Sequence, residues 1–215
     1  MSKLKPIVPK KKPVVKRPTT PSGEIRIIGG LWKRTKLSVA DFPGLRPTPD
    51  RVRETLFNWL GQDLSGWRCV DAFAGTGALG FEAASRGAKH VLMCEQQPAL
   101  VAQLQTTATK LRAGMVRVER GDGVGALKRQ TSKSIDLVLL DPPFEAVGVG
   151  ELAKAALAAA SLAVTDEGFI YLESSKTLSA EDAEVFGLQV HRFGKAGMVH
   201  YHLLRKLVAE TPKVS

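Results

Sequence analysis

The sequence predicts an α/β protein: a doubly wound, mostly parallel sheet that closes with a C-terminal antiparallel hairpin and is preceded by a small β-hairpin and helix extension. Three observations carry this. From residue 66 onward, strand-like apolar segments alternate with helical ones, the pattern of βαβ units. A glycine turn with Gly75, Gly77 and Gly80 in G-x-G-x-x-G spacing joins the first of these strands to the first of these helices. The apolar run "IDLVLL" reads as a strand covered on both faces, as central parallel strands are.

Taken in order, residues 1–22 combine seven basic residues with five prolines and no acid, too little apolar surface to order a segment, so a flexible basic arm is expected. "EIRIIGGLWKRTKLSV" (24–39) reads as two short strands around Gly29-Gly30, with Trp32, Lys33, Arg34 and Lys36 clustered beyond the turn. In "LRPTPDRVRETLFNWLG" a helix is expected with Thr48 as N-cap, Pro49 in the first position and Gly61 as its stop. Val52, Leu56, Trp59 and Leu60 form its apolar face, so Arg51 looks outward with Arg46.

Strands follow near 67–73, 90–95, 116–120, 135–140 and 168–173, with helices near 77–86, 98–112, 123–130 and 149–163. Val101, Leu104, Ala108 and Leu111 repeat on one face of the second of these helices, with Gly114 as its cap. "LQVHRF" and "MVHYHLL", joined by "GKAG", make the closing hairpin. The domain reading is 1–22 arm, 23–62 extension, 63–208 α/β domain and 209–215 flexible tail.

Charge and cysteine usage bound the function. Residues 1–53 hold 14 Lys and Arg against 3 Asp and Glu, while the remaining 17 basic and 18 acidic residues nearly cancel. A near-neutral body with a basic front suits a polyanionic partner, since cations set against phosphates release condensed counterions. No run approaches the roughly 18 to 20 apolar residues of a membrane span, and a cytoplasmic protein is expected. Cys69 and Cys94 lie inside apolar strands and read as buried free thiols. His200 and His202 share a strand face without a partner at metal spacing, so no metal is expected.

The chemistry gathers at strand ends. The glycine spacing alone serves dinucleotides, nucleosides or plain tight packing. Glu95, 20 residues after Gly75, fits a carboxylate that accepts ribose hydroxyls, or a solvated strand-end acid. Asp71, just before the turn, would oppose a pyrophosphate but welcome a cation, and Asp122 follows the third strand, where an adenine amine or a neighbouring amide could be held. This acid-lined edge suits S-adenosylmethionine, with its sulfonium and ammonium, better than a dinucleotide. Asp141-Pro142-Pro143-Phe144 ends the buried strand at the same edge. Proline rings fix φ near −65° and push the preceding residue toward extended geometry, so Asp141 and the Pro142 carbonyl become two preset acceptors for an exocyclic amine, with Phe144 placed to stack on a base. The corner does not itself distinguish guanine from adenine.

"IRIIGGLWKRTKL", "GLRPTPDRVRETLFNWL", "DAFAGTGALGFEAASRGA" and "DLVLLDPPF" closely resemble, in wording and order, the bacterial 16S ribosomal RNA guanine-N2 methyltransferases of the RsmD type, over roughly residues 24–205. The resemblance implies a Rossmann-like fold, S-adenosylmethionine as methyl donor and N2 of one guanine of small-subunit 16S rRNA as acceptor. By motif, Asp71, Phe73, Gly75, Thr76 and Gly77 line the cofactor, Glu95 holds its ribose and Asp122 lies beside adenine. Asp141, Pro142, Pro143 and Phe144 hold the guanine, while Trp32, Lys33, Arg34, Lys36, Arg46 and Arg51 face RNA. Thr76 stands where serine is usual, and the arm is longer and more basic than typical. The partner is 16S rRNA in the small subunit or an assembly intermediate, met by a monomer. Two other readings stay open: an amino-methyltransferase for another base such as adenine-N6, and a catalytically silent RNA-binding protein.

Overall fold

A seven-stranded sheet organises the protein, seen here in a computed structural model that describes residues 23–39, 42, 47–143 and 150–207. Ahead of it, β1 (Gly23–Arg26) and β2 (Lys36–Val39) pair antiparallel, Ile25 facing Leu37. The expected pivot at Gly29-Gly30 is only part of a longer loop, closed by Ile27 N–H to Thr35 O and Arg34 N–H to Ile27 O. Gly30 sits at φ +73°, and a Cβ there would fall 1.8 Å from the Ser85 carbonyl oxygen. The glycines therefore serve close docking on a neighbouring helix.

Helix α1 (Asp50–Trp59) starts one residue later than expected, with Pro49 as N-cap and no side-chain cap. Pro49 has ψ 147°, outside helical range, so Thr48 is freed from capping and is buried instead. The alternating section gives β3 (Arg68–Asp71), α2 (Ala78–Ser85), β4 (His90–Glu95), α3 (Pro98–Lys110), β5 (Val116–Arg120), α4 (Gly123–Lys128), β6 (Ile135–Leu140), α5 (Glu151–Ala163), β7 (Val164–Ser174), α6 (Ala180–Glu184), β8 (Leu188–Ala196) and β9 (Val199–Lys206). β3 stops before residue 73 because the chain turns into the glycine loop. α3 ends at Lys110 with Leu111 as C-cap, and Arg112, at φ +51°, takes the left-handed turn expected of Gly114. The five-residue α6, capped by Ser179, had no expectation. The closing turn is the pair Gly197-Met198; Gly194 lies within β8, where a Cβ would meet the Tyr201 ring at 2.3 Å. The arm 1–22, the tail 209–215 and the expected start of α5 at 149 lie outside the described residues.

The strand order is β5-β4-β3-β6-β7-β9-β8, parallel from β5 through β7, with β9 antiparallel to β7 and β8. Side chains alternate between faces with period two. One cluster takes Cys69, Met93, Leu137, Leu139, Tyr171, Tyr201 and Leu203 together with residues of β1, β2, α1 and α2. The other takes Val70, Val138, Leu140, Ile170, Leu172 and Leu204 against α5. Both faces are covered, which is why the central strands carry unbroken apolar runs. Order reverses at β3 and β6, so the crevice beyond their C-terminal ends is where open α/β sheets bind ligands.

Candidate methyl-transfer site

Four expected acids stand at that edge, after β3, β4, β5 and β6. Asp71 is buried and accepts from Gly80 N–H at 3.0 Å, so its carboxylate faces into the glycine loop and braces it from behind. Burial pushes its pKa up to about 7, against the pull of the Gly80 and Phe73 amides, with the Glu95 charge adding to the rise. Gly75 and Gly77 take positive φ, 50° and 79°. A Cβ on Gly80 would come within 2.5 Å of Met93 Cε, so the third glycine permits tight helix-to-strand packing. Thr76 Oγ1 lies 3.3 Å from the Ala78 amide it accepts from, and Phe73 is half-buried against the second core cluster.

Glu95 accepts from Gly75 N–H at 3.0 Å through one oxygen and from Gln97 N–H at 2.8 Å through the other. Each carboxylate oxygen keeps a further lone pair, enough for a ribose hydroxyl. Asp122 caps α4, accepting from Val124 and Gly125 amides at 3.2 and 2.8 Å, the neighbouring-amide role weighed for it from sequence. The donor set fits S-adenosylmethionine: among the described residues the glycine loop 72–77 carries no Lys or Arg to bind a phosphate, and the edge offers acids to face a sulfonium and an ammonium.

Asp141 is half-buried, Pro142 buried and Pro143 exposed; Phe144 lies outside the described residues. β6 and β7 pair Leu139 with Tyr171 and Leu140 with Leu172, so Asp141 continues the register beside Glu173, on the face shared by Leu139 and Tyr171. Glu173 is 3% exposed and accepts from the Tyr171 hydroxyl at 2.9 Å. Thr48, just ahead of α1, is buried. Burial first, then the charges of Glu173 and Asp71, hold the Asp141 carboxyl well above the usual carboxylate range, with Thr48 opposing. Burial likewise raises Glu173, against Tyr171 and Thr48. Sequence reading missed Tyr171 and Glu173 at this corner. The available signal was parity, since "YLE" places Tyr171 and Glu173 on one face.

The extension is locked down by a second group that sequence reading missed. Glu82, fully buried in α2, accepts from Ile28 and Gly29 amides at 2.9 and 2.8 Å, from Arg53 at 3.1 Å and from Arg86 at 2.9 Å. Leu31 N–H reaches Ser85 O and Trp32 N–H reaches Ser85 Oγ, at 2.7 and 2.9 Å. Trp32 is accordingly half-buried against the core, apart from its exposed basic neighbours. Lys33 and Arg34 are exposed, and exposed Lys36 pairs with Glu24 at 2.7 Å. This cluster sits at the C-terminal end of α2, roughly 12 Å along the helix from the glycine loop. The structure therefore does not gather it at the Asp141 corner. Arg51 is exposed on the first turn of α1, three residues past Thr48; Arg46 lies outside the described residues.

Cys69 and Cys94 are free and buried, and burial raises both thiols, Cys94 to about 12. Among the described residues no cluster of His, Cys, Asp or Glu could hold a metal, and no helix is long and apolar enough to cross a membrane.

Fold and site together define the class: a methyltransferase fold of the Rossmann-like α/β type. The family model described as "Conserved hypothetical protein 95" matches residues 25–205, and the chain belongs to that family, the RsmD family. It is 40% identical over 185 residues to the Escherichia coli (strain K12) protein named Ribosomal RNA small subunit methyltransferase D, covering 86% of this chain and 91% of the relative. A solved candidate methyltransferase of Escherichia coli, yhhF, superimposes with TM-score 0.70 at 38% identity, covering 86% of this chain and 98% of the other. A solved candidate methylase of Haemophilus influenzae gives TM-score 0.69 at 33% identity, covering 86% and 100%.

Proposed function

We propose that this protein is a cytoplasmic, S-adenosylmethionine-dependent methyltransferase that modifies the exocyclic N2 of one guanine of 16S rRNA, in the small subunit or its precursor. The carrying observation is the Asp141-Pro142-Pro143 corner, standing at the switch point beside a glycine loop with an acid-lined edge. Its support is the family, whose Escherichia coli member is named for ribosomal RNA of the small subunit.

When bound, the cofactor supplies an electrophilic methyl group on a sulfonium. The chain does the rest. Gly75, Gly77 and Glu95 fix the donor, and the acids at the edge favour its positive charge. Asp141 and the Pro142 carbonyl accept the two amine N–H groups, turning the nitrogen lone pair out of the ring plane and toward the methyl carbon. That is catalysis by orientation and preset electrostatics. Phe144 stacks on the base. Arg51 and Arg46 meet phosphates near the target, and Lys33 and Arg34 meet phosphates farther along the RNA.

The test is transfer of labelled methyl from S-adenosylmethionine to 16S rRNA, free and in small subunits, from a strain lacking this gene, followed by digestion to nucleosides. A single N2-methylguanosine is the expected product. N6-methyladenosine would overturn the base, and no label on either substrate would favour a silent RNA-binding protein.

A further inference from the structure

The closing hairpin brings a second exposed surface to the edge where Asp141 stands. β7 ends at Ser174, opposite His200 of β9, which in turn opposes Lys195 of β8, so the turn at Gly197-Met198 projects past the end of β7. Asp141 continues the register beside Glu173, Glu173 pairs with Tyr201, and Tyr201 pairs with Gly194. Three strand spacings of about 4.8 Å therefore set Phe193 and Lys195, the neighbours of Gly194, roughly 14 Å along the edge from the corner.

Residues opposite one another on antiparallel strands share a face, so Phe193 with His202 and Lys195 with His200 stand together on the face of Leu204. Leu178 and Ala183 pack with Leu188 and Leu204 there, but this cover ends before Phe193, which is 46% exposed on the outermost strand. The Phe193 ring is held from one side by the imidazoles of His202 and His200, with centroids 5.1 and 5.9 Å away. His200 is held in turn, its Nδ1 lying 2.8 Å from Thr177 Oγ1. An aromatic ring that is supported beneath and open above, on an edge strand that folds usually protect, marks a contact surface.

Charge separates the two ends of the hairpin. Residues 188–206 hold four Lys and Arg and three His without one acid. At the end away from the corner, Arg205 and Lys206 are neutralised by Glu167 and Asp166 at 3.1 and 3.3 Å. At the end beside it, Lys195 and Lys176, both exposed, make no ion pair among the described residues. Burial and then the Lys195 charge lower the His200 pKa, so its ring is neutral near pH 7 and the lysines carry the charge. Unpaired cations near a supported aromatic ring match a single strand of nucleic acid, which offers phosphates to the first and a base to the second. We propose that Phe193, Lys176 and Lys195 form a stacking platform for single-stranded rRNA that flanks the target base, with the base on the ring and phosphates on the two lysines. The inference rests on the proposed function and adds a grip on the substrate that the N-terminal loop does not supply.

The test measures the affinity of the full chain for unmodified 16S rRNA and for unmodified small subunits as salt is varied, with methyl transfer followed separately. Phe193→Leu keeps apolar bulk over His202 but removes the stacking surface. It should weaken binding to both substrates at least about fivefold without changing the salt slope, and Phe193→Tyr should restore it. Lys176→Ala with Lys195→Ala should lower the slope of log affinity against log salt by about 1.4, at about 0.7 per phosphate contact. Lys206→Ala should leave the slope alone, because Asp166 already neutralises that charge. Phe193→Leu binding like wild type, an unchanged slope in the double variant, or an equal drop from Lys206→Ala would overturn the platform. Losses confined to small subunits, with binding to rRNA unchanged, would overturn it in favour of a ribosomal-protein contact. A wild type that binds rRNA through these residues yet transfers no methyl would overturn the proposed function and leave the platform standing.

Discussion

Replacing Glu82 by Ala should detach the extension from the α/β domain. The carboxylate compensates two buried guanidinium groups, Arg53 at 3.1 Å and Arg86 at 2.9 Å, and satisfies the amides of Ile28 and Gly29. Removing one partner of a buried ion pair costs about 3–5 kcal/mol, because the remaining charge is stranded in low dielectric; Arg86 meets this loss directly, while Arg53 keeps Asp50 at 2.5 Å. Each orphaned amide adds about 1–3 kcal/mol. The sum is capped by undocking, since a hairpin that lifts off lets water reach all four groups. About 5 kcal/mol is the expected net, and at about 2–4 °C per kcal/mol for a domain of this size the midpoint should fall by roughly 10–20 °C. Thermal unfolding followed by circular dichroism reads the first number. Amide exchange at Ile28, Gly29, Leu31 and Trp32 reads the second consequence, loss of protection well below global unfolding. Glu82→Gln, which keeps one acceptor but turns an amide N–H₂ toward the arginines, should fall between. A midpoint within about 3 °C of wild type, with those amides still protected, would refute the reasoning.

Three further outcomes are expected. Asp141→Ala should reduce methyl transfer by about two to three orders of magnitude, the scale of losing a preset electrostatic partner, while calorimetric S-adenosylmethionine affinity stays within about threefold; equal loss of both would remove the assigned role. Lys33→Ala with Arg34→Ala should reduce the slope of log affinity against log salt by about 1.4, from about 0.7 per phosphate contact, whereas Lys36→Ala alone should change it little because Glu24 already neutralises that charge at 2.7 Å; an unchanged slope in the double variant takes the loop out of the RNA interface. Asp71 loses its proton at 3.8 when unfolded and at about 7 when folded, so the native state holds the extra proton between those values and stability falls as pH rises through the window, by up to about 4 kcal/mol at 1.36 kcal/mol per unit. Asp71→Asn should therefore gain on wild type in urea denaturation from pH 4 to 7.5, and a flat difference would contradict the burial argument.

The sheet was legible because alternation on two covered faces leaves apolar runs, and β4, β5 and β6 fall on the expected residues. Asp71, Glu95, Asp122 and Asp141 were legible as acids gathered at one sheet edge because each stands at or just past the end of a strand. What sequence did not disclose depends on contacts between distant residues. Glu82 meets Ile28 across 54 positions and Arg53 across 29. Nothing local announces that pairing, although a charge inside an otherwise apolar, wholly buried helix demands one. Thr48 read as a cap because Thr-Pro before an apolar face is a cap signal, whereas the helix starts one residue later and leaves Thr48 buried. Trp32 was grouped with its basic neighbours beyond the turn, while the Ser85 contact that seats it lies 53 residues away.

The seating of that loop also sets how the molecule can change. Gly30 against the Ser85 carbonyl, the paired amides on Glu82 and the Ser85 hydroxyl on Trp32 fix its base at three points, while the side chains of Leu31, Lys33 and Arg34 extend into solvent. Residues at those three positions can be exchanged without disturbing the glycine loop at the other end of α2. The fold thus offers a graft point, at which the surface offered to a new partner can be rewritten while the machinery for the methyl group is inherited intact.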